Sequence, residues 1–230
     1  MDTGSQILTL LQICDSFFPT GGFTQSYGLE TYVQDGLVCG GDSFRELLNT
    51  FVQDVLVTGD GLAVFLAWRA AGAEDLSFLE KIDQILSAMK LARESREGSA
   101  RTGCRMLYTA SPLFEDHVLR EYIGLVRAGF CGGHHSLAFG LLGRRAGLTL
   151  EQTLLGFLYN AAASMVNNGV RLIPLGQQEG QRILRELTPS LNRAASEIQL
   201  KEIDDLGSTA PALEIRAMQH ERLYTRLFMS

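Results

Sequence analysis

The chain has 230 residues, 46% hydrophobic and 20% charged with only 5 prolines, which suits one large folded domain or two small ones and excludes a disordered polypeptide. A formal net charge of −6 weighs against nucleic acid as a partner, because a phosphate backbone is gripped by a basic face that releases counterions. Cys14, Cys39, Cys104 and Cys131 are widely spaced with no Cys-x-x-Cys pair, so free thiols and a reducing cytoplasm are expected rather than a disulfide framework or a zinc knuckle.

At the amino terminus, residues 1–5 carry Asp2 but no Lys or Arg, and the apolar run 7–11 is short. It falls below the length of an export signal or a bilayer span, and no membrane association is expected. Residues 1–44 hold Asp2, Asp15, Glu30, Asp35 and Asp42 without a single Lys or Arg. Two readings fit this acidic stretch: contact with a basic partner surface, or simple solubility. Gly21, Gly22 and Gly28 mark turns; no strand precedes them as a dinucleotide fold would require.

Helical spacing then dominates. Ser43 and Glu46 have capping-box spacing, and Phe44, Leu47, Leu48, Phe51, Val52, Val55 and Leu56 form one stripe, which predicts an amphipathic helix. Gly59 and Gly61 interrupt it, and residues 62–71 read as a second, nearly all-apolar helix that should be buried on most sides. Residues 74–110 fit either one long helix or two meeting near Gly98. Ser111, Pro112, Glu115 and Asp116 combine an N-cap, a first-turn proline and acids at a positive dipole end, which predicts a helix start there.

Residues 134–146 give another apolar helix ended by Gly147. Thr149 and Gln152 repeat the capping-box spacing ahead of Leu150, Leu154, Leu155, Leu158, Ala161, Ala162, Met165 and Val166. With almost no charge over 152–170, this helix is expected at the centre of the bundle. Pro174 and Gly176 must stop or kink it, since proline lacks a donor and collides with the preceding turn. Helical spacing resumes over 181–187, Pro189 starts a helix toward Ile203, residues 207–211 connect, and a last helix is expected over 212–228. No alternating strand pattern of useful length appears. The reading is all-α: a single-domain helical bundle of about ten helices without significant β-sheet.

Self-contained catalysis finds little support. The lysines are Lys81, Lys90 and Lys201, none preceded by Gly, so no phosphate-binding Gly-Lys-Ser/Thr loop exists. Gly-x-Ser-x-Gly and His-Glu-x-x-His are absent too. Glu30 and His220 are of the right types for an acid and a base, with no activating residues beside either. Cys131, His134 and His135 are the nearest approach to a soft-metal constellation. Adjacent histidines point different ways on a helix, however, and further ligands would have to come from elsewhere. The stretch Lys90, Arg93, Arg96, Arg101 and Arg105 is diluted by Glu94 and Glu97; intrahelical pairs such as Glu97 with Arg101 are expected, worth a few tenths of a kcal/mol. Arg171 sits beside the break at Pro174, placed either to bond freed carbonyls or to serve a partner GTPase as an arginine finger.

The stretch 11–30, Leu-Gln-Ile-Cys-Asp-Ser-Phe-Phe-Pro-Thr-Gly-Gly-Phe-Thr-Gln-Ser-Tyr-Gly-Leu-Glu, resembles the opening of the UreF family of urease accessory proteins. Further landmarks follow in order: Ala92-Arg-Glu94 with Gly103, His134 with Phe139-Gly140, Val170-Arg-Leu-Ile-Pro-Leu-Gly-Gln177 with Gly180-Gln181, and the closing stretch 218–230. The resemblance spans nearly the whole chain. It implies an all-helical, usually dimeric, cytoplasmic protein that binds UreD (also called UreH) and the GTPase UreG and acts on apo-urease subunits, with UreE an indirect partner as nickel donor. Catalysis and GTP hydrolysis would lie elsewhere, no cofactor would be held stably, and nickel would pass in transit.

By the same resemblance, partner binding falls on an N-terminal segment of about 1–30 and a C-terminal tail of about 208–230. Leu11, Pro19, Gly21, Gly22, Phe23, Ser26, Gly28, Leu29 and Glu30 carry over as a shaped loop and helix start. His220, Glu221, Tyr224, Arg226, Leu227 and Phe228 carry over as a tail packed near it, with Arg226 a candidate to hold the carbonyls of Gly22 and Phe23. Tyr159 is the candidate homodimer contact. Apolar, charge-poor ends suit segments that fold on a partner.

Overall fold

The computed structural model describes residues 2–22, 25–207 and 209–229. All regular structure among them is helical. In chain order the helices are α1 (Thr3–Cys14), α2 (Leu29–Gln34), α3 (Gly41–Thr50), α4 (Gly61–Ala73), α5 (Leu76–Met89), α6 (Arg93–Ala110), α7 (His117–Arg127), α8 (His135–Arg145), α9 (Leu150–Leu172), α10 (Gln177–Glu186), α11 (Thr188–Ile198) and α12 (Pro211–His220). A wider, π-type segment, Phe51–Asp60, joins α3 to α4, with Gly59 off helical angles at φ −113° and ψ −111°.

Helix α4 is the hub. Its Leu62, Ala63, Val64, Leu66, Ala67 and Ala71 are fully buried, and it crosses α8, whose Ser136–Gly143 stretch is buried throughout. The approach is close because Gly140 faces α4: a Cβ there would lie 2.3 Å from Val64 O. The stretch Gly41–Ala73 is long and apolar enough to span a bilayer, but 67% of its most apolar window is buried within the fold, which is how a core helix behaves. Helix α9 lies beside α4: it packs against α1, α2, α3, α4, α8, α10 and α11, with Leu154, Leu158, Ala162 and Met165 fully buried, and leaves Tyr159, 52% exposed, on its open side.

Several expected boundaries move. Helix α3 begins at Gly41, and Ser43 sits at its third position, where Oγ accepts from Gly40 N at 3.3 Å. The stretch 74–110 is two helices, but they part at residues 90–92 and not at Gly98. Lys90 leaves the helical path with its ammonium 2.6 Å from Asp60 Oδ2. Gly98 lies inside α6, in space occupied by the Gln25 side chain.

Ser111 and Pro112 close α6 rather than opening a helix: Ser111 N still donates to Leu107 O at 2.9 Å, and Phe114 N to Ala110 O at 3.0 Å. Proline just past a helix end is as familiar as proline at its start. The N-cap of α7 is Asp116, whose Oδ1 accepts from Leu119 N. Helix α10 starts at Gln177, four residues before the expected 181, and α11 ends at Ile198. The last helix stops at His220, and residues 221–229 form an irregular tail.

Candidate partner-docking site at the joined chain ends

Helix α2 is set by its entry. Tyr27 and Gly28 are both left-handed, at φ 53° and φ 83°, a conformation glycine adopts without the Cβ penalty. At Gly28 there is a second reason for glycine: a Cβ would lie 3.0 Å from Ala217 N and 3.2 Å from Leu213 O. The start of α2 thus lies directly on α12, and Thr31 Oγ1 donates to Arg216 O at 3.0 Å to complete the seam. Leu29, at 0% exposure, pins the turn into the core.

This seating carries Glu30 into the interior, at 3% exposure. Its Oε1 accepts from Leu227 N at 2.7 Å, and its Oε2 accepts from Phe228 N at 3.1 Å. His220 Nε2 lies 3.1 Å from the same Oε2, while His220 Nδ1 lies 2.7 Å from Glu94 Oε2 on α6. Arg226 Nη1 donates to Glu94 Oε1 at 2.7 Å. Arg93 Nη2 donates to Glu221 Oε2 at 3.0 Å, and Gln34 Nε2 to Thr225 O at 2.9 Å. A buried carboxylate on α2 and a largely buried one on α6 therefore hold the tail at its side chains and its backbone.

The residues expected at this site divide into two kinds. Ser26, Gly28, Leu29, Glu30, His220 and Phe228 are interior and position the surface. Tyr224, at 101% exposure, and Leu227, at 64%, stand out from it. Arg226 meets Glu94, and the arginine beside Gly21 is Arg105, whose Nη1 would lie 2.3 Å from a Cβ at that glycine. Phe23 lies outside the described residues. Glu94 is visible in the sequence only as a charge among arginines; its spacing gives no sign of a role in the tail. The partner of Glu97 is Arg93, at 3.9 Å, not Arg101.

Helix α1 lies against α9. Gln6 Nε2 donates to Gly147 O at 2.8 Å and Asn160 Nδ2 to Cys14 O at 3.2 Å, and Gly156 leaves room for Leu10. Only Ile13 of this helix is buried. Ile7, Leu8 and Leu11 are exposed, as are Phe17 and Leu113, and an apolar groove of about 470 Å³ runs between Leu8, Leu11, Phe17, Phe18, Pro19 and Leu113. Burial of such a groove would release water from apolar surface, at about 25 cal/mol per Å².

The soft-metal candidates do not converge with a further ligand: among the described residues no three His, Cys, Asp or Glu side chains are grouped to hold an ion. Burial, then Asp83, pushes the Cys131 thiol up to about 12. His134 is buried with Nε2 2.9 Å from Ser87 Oγ, and burial lowers its pKa. His135 rests on Phe157 and Phe139, with ring centroids at 5.6 and 6.1 Å, and burial takes it down to about 4. Arg171 is exposed at the C-terminal end of α9.

A group that the sequence does not single out organises the loop before α8. Asp83, fully buried on α5, accepts from Tyr122 OH at 2.6 Å, Gly132 N at 2.5 Å, Gly133 N at 3.0 Å and His134 N at 3.4 Å. These four donors converging on one carboxylate fix the 132–134 turn to α5.

Against known proteins, the UreF family model matches residues 38–188. The urease accessory protein UreF of Lachnoclostridium phytofermentans is 39% identical over 224 residues, covering 97% of this chain and 98% of that protein. That of a Bacillus species, strain TB-90, is 37% identical, covering 98% and 100%. That of an Arthrobacter species, strain FB24, is 41% identical, covering 99% and 98%.

Proposed function

The chain belongs to the UreF family of urease accessory proteins, and from that membership we propose that it is a non-catalytic scaffold of urease maturation. In this reading it joins UreD and the GTPase UreG on apo-urease, and nickel is cargo handled in transit during GTP-dependent assembly of the metallocentre. The observation that carries the proposal is the construction of the tail. The carboxylates of Glu30 and Glu94 are both committed to fixing residues 226–228, yet Tyr224 and Leu227 point outward. A chain end anchored so firmly while offering large side chains to solvent is built to present them to another protein. Exposed aromatic and aliphatic anchors on a rigid base are the usual centre of an interface.

The groove beside α1 gives a second apolar surface, and residues 1–44 around it carry no Lys or Arg. A partner with an apolar ridge and a basic rim fits it, since complementary charge speeds encounter. Homodimer formation through the α9 face at Tyr159 belongs to the same proposal, as does a cytoplasmic setting.

The test is co-purification with UreD. Tyr224→Ala combined with Leu227→Ala is expected to weaken UreD binding at least tenfold while leaving the thermal midpoint unchanged, because both side chains are exposed. Undiminished binding would overturn the assignment of the tail. A second reading, in which the chain activates UreG, draws on Arg171 being exposed at a helix end. It requires UreG turnover to rise on mixing and the rise to vanish in Arg171→Ala; scaffold action alone leaves turnover unchanged.

A further inference from the structure

His220 is fully buried between two carboxylates, at 2.7 Å from Glu94 and 3.1 Å from Glu30. A neutral imidazole has one N–H, and its second nitrogen is an acceptor with nothing to donate. Facing two carboxylate oxygens it would satisfy one and oppose the other. Placing the proton on a carboxyl is the alternative, but Glu30 accepts a backbone N–H on each oxygen and Glu94 Oε1 accepts from Arg226, so three of the four oxygens already face donors. The arrangement is satisfied when both ring nitrogens carry protons.

Most of the surrounding charges are paired. From α2, Asp35 pairs with Arg216 of α12. From α6, Arg93 pairs with Glu221, approaches Glu97 and lies within electrostatic range of Glu94. On the tail, Arg226 holds Glu94, and Arg222 lies within the same segment. Arg93 and Arg226 both act on Glu94, but only His220 faces both Glu94 Oε2 and Glu30 Oε2. Loss of one ring proton turns a nitrogen lone pair onto a carboxylate oxygen, beside the carboxylate that binds Leu227 and Phe228.

We propose that His220 is a proton-controlled latch on the C-terminal tail: with both ring nitrogens protonated it holds residues 226–228 against α2 and α6, and deprotonation frees them. As a control over partner binding, the latch rests on the scaffold reading above. As a property of the chain it is read in the isolated protein, so its failure leaves that reading standing, and loss of that reading leaves the latch.

The experiment follows hydrogen exchange of the Leu227 and Phe228 amides in the full chain by NMR, with His220 ring resonances recorded in the same samples. Protection, corrected for the intrinsic pH dependence of exchange, is expected to fall by up to about tenfold per pH unit as His220 loses its proton, while Leu141 in α8 keeps its protection. In Glu94→Gln the carboxamide N–H donates to a neutral Nδ1 and its oxygen still accepts from Arg226, so the tail is expected to keep its protection where the ring is neutral. Constant protection of Leu227 and Phe228 in the unaltered protein while His220 deprotonates overturns the proposal, as does a singly protonated ring wherever the tail is protected. Should the variant not fold, the unaltered protein decides the question alone.

Discussion

Asp60 and Lys90 illustrate how one residue's charge depends on another's. Burial works to raise the Asp60 pKa, but the Lys90 ammonium at 2.6 Å and the Ser136 hydroxyl at 2.8 Å outweigh it, and the carboxyl is held below its ordinary value. A carboxyl whose folded pKa is depressed contributes stability that is present above its unfolded value and lost as pH falls through the folded one. Lys90→Met removes the opposing charge and leaves burial to raise the pKa, so the sign reverses and the damage grows with pH. The variant is expected to lose about 3–5 kcal/mol at pH 7 and clearly less at pH 4, measured by urea unfolding of both proteins at each pH. His135 follows the opposite logic to a paired histidine. Its folded value of about 4 lies below the ordinary 6.5, so its contribution is complete above the unfolded value and disappears as pH falls from there toward the folded one.

Among the helices, α9 shows local sequence and tertiary demand in agreement. Thr149 Oγ1 accepts from Gln152 N at 3.1 Å, and Gln152 Oε1 accepts from Thr149 N at 2.9 Å, so two orphan donors of the first turn are satisfied reciprocally. Gln152 Nε2 also reaches Gln6 Oε1 at 3.3 Å, which ties the cap to α1. Thr149→Ala is expected to cost about 1 kcal/mol, seen as a thermal midpoint about 2–4 °C lower, without loss of helical signal. Helix α12 shows disagreement instead. The apolar spacing through Leu223 and Leu227 is compatible with a longer helix, yet Glu30 takes the amides of Leu227 and Phe228, and an irregular tail gains charge-assisted bonds that a helix would forgo.

Across the whole molecule, stability depends on helix backbones meeting where side chains are missing. Gly140 brings α8 onto α4, and Gly103 brings α6 against the 133–135 loop, where a Cβ would lie 2.0 Å from Gly133 O. Because the obstructing atoms are backbone, relief requires whole elements to move, and overpacking of this kind costs about 1–3 kcal/mol. Gly140→Ala is therefore expected to lower the urea midpoint, whereas Gly124→Ala, in α7 with nothing within 4 Å of its added Cβ, is expected to raise stability by up to about 1 kcal/mol through helix propensity alone. The two identical chemical changes separate close packing from propensity in one unfolding experiment.

What the chain determined by itself is what short-range physics can decide. The 3.6-residue stripe of Phe44 to Leu56, the Thr149 cap and the breaks at Gly147 and Pro174 each act within a turn or two, and helices stand where those signals place them. The signals at Ser111-Pro112 and in 212–228, which predict a helix start and a long last helix, were overruled by the fold, because a proline or an apolar stripe is compatible with more than one ending until a distant partner chooses. The site depended on the tertiary structure still more. Glu30, Glu94 and His220 lie up to 190 residues apart in sequence, and no periodicity relates them. A helix reports its own hydrogen bonds locally, whereas a buried ionic cluster exists only where separate helices remove the same charges from water.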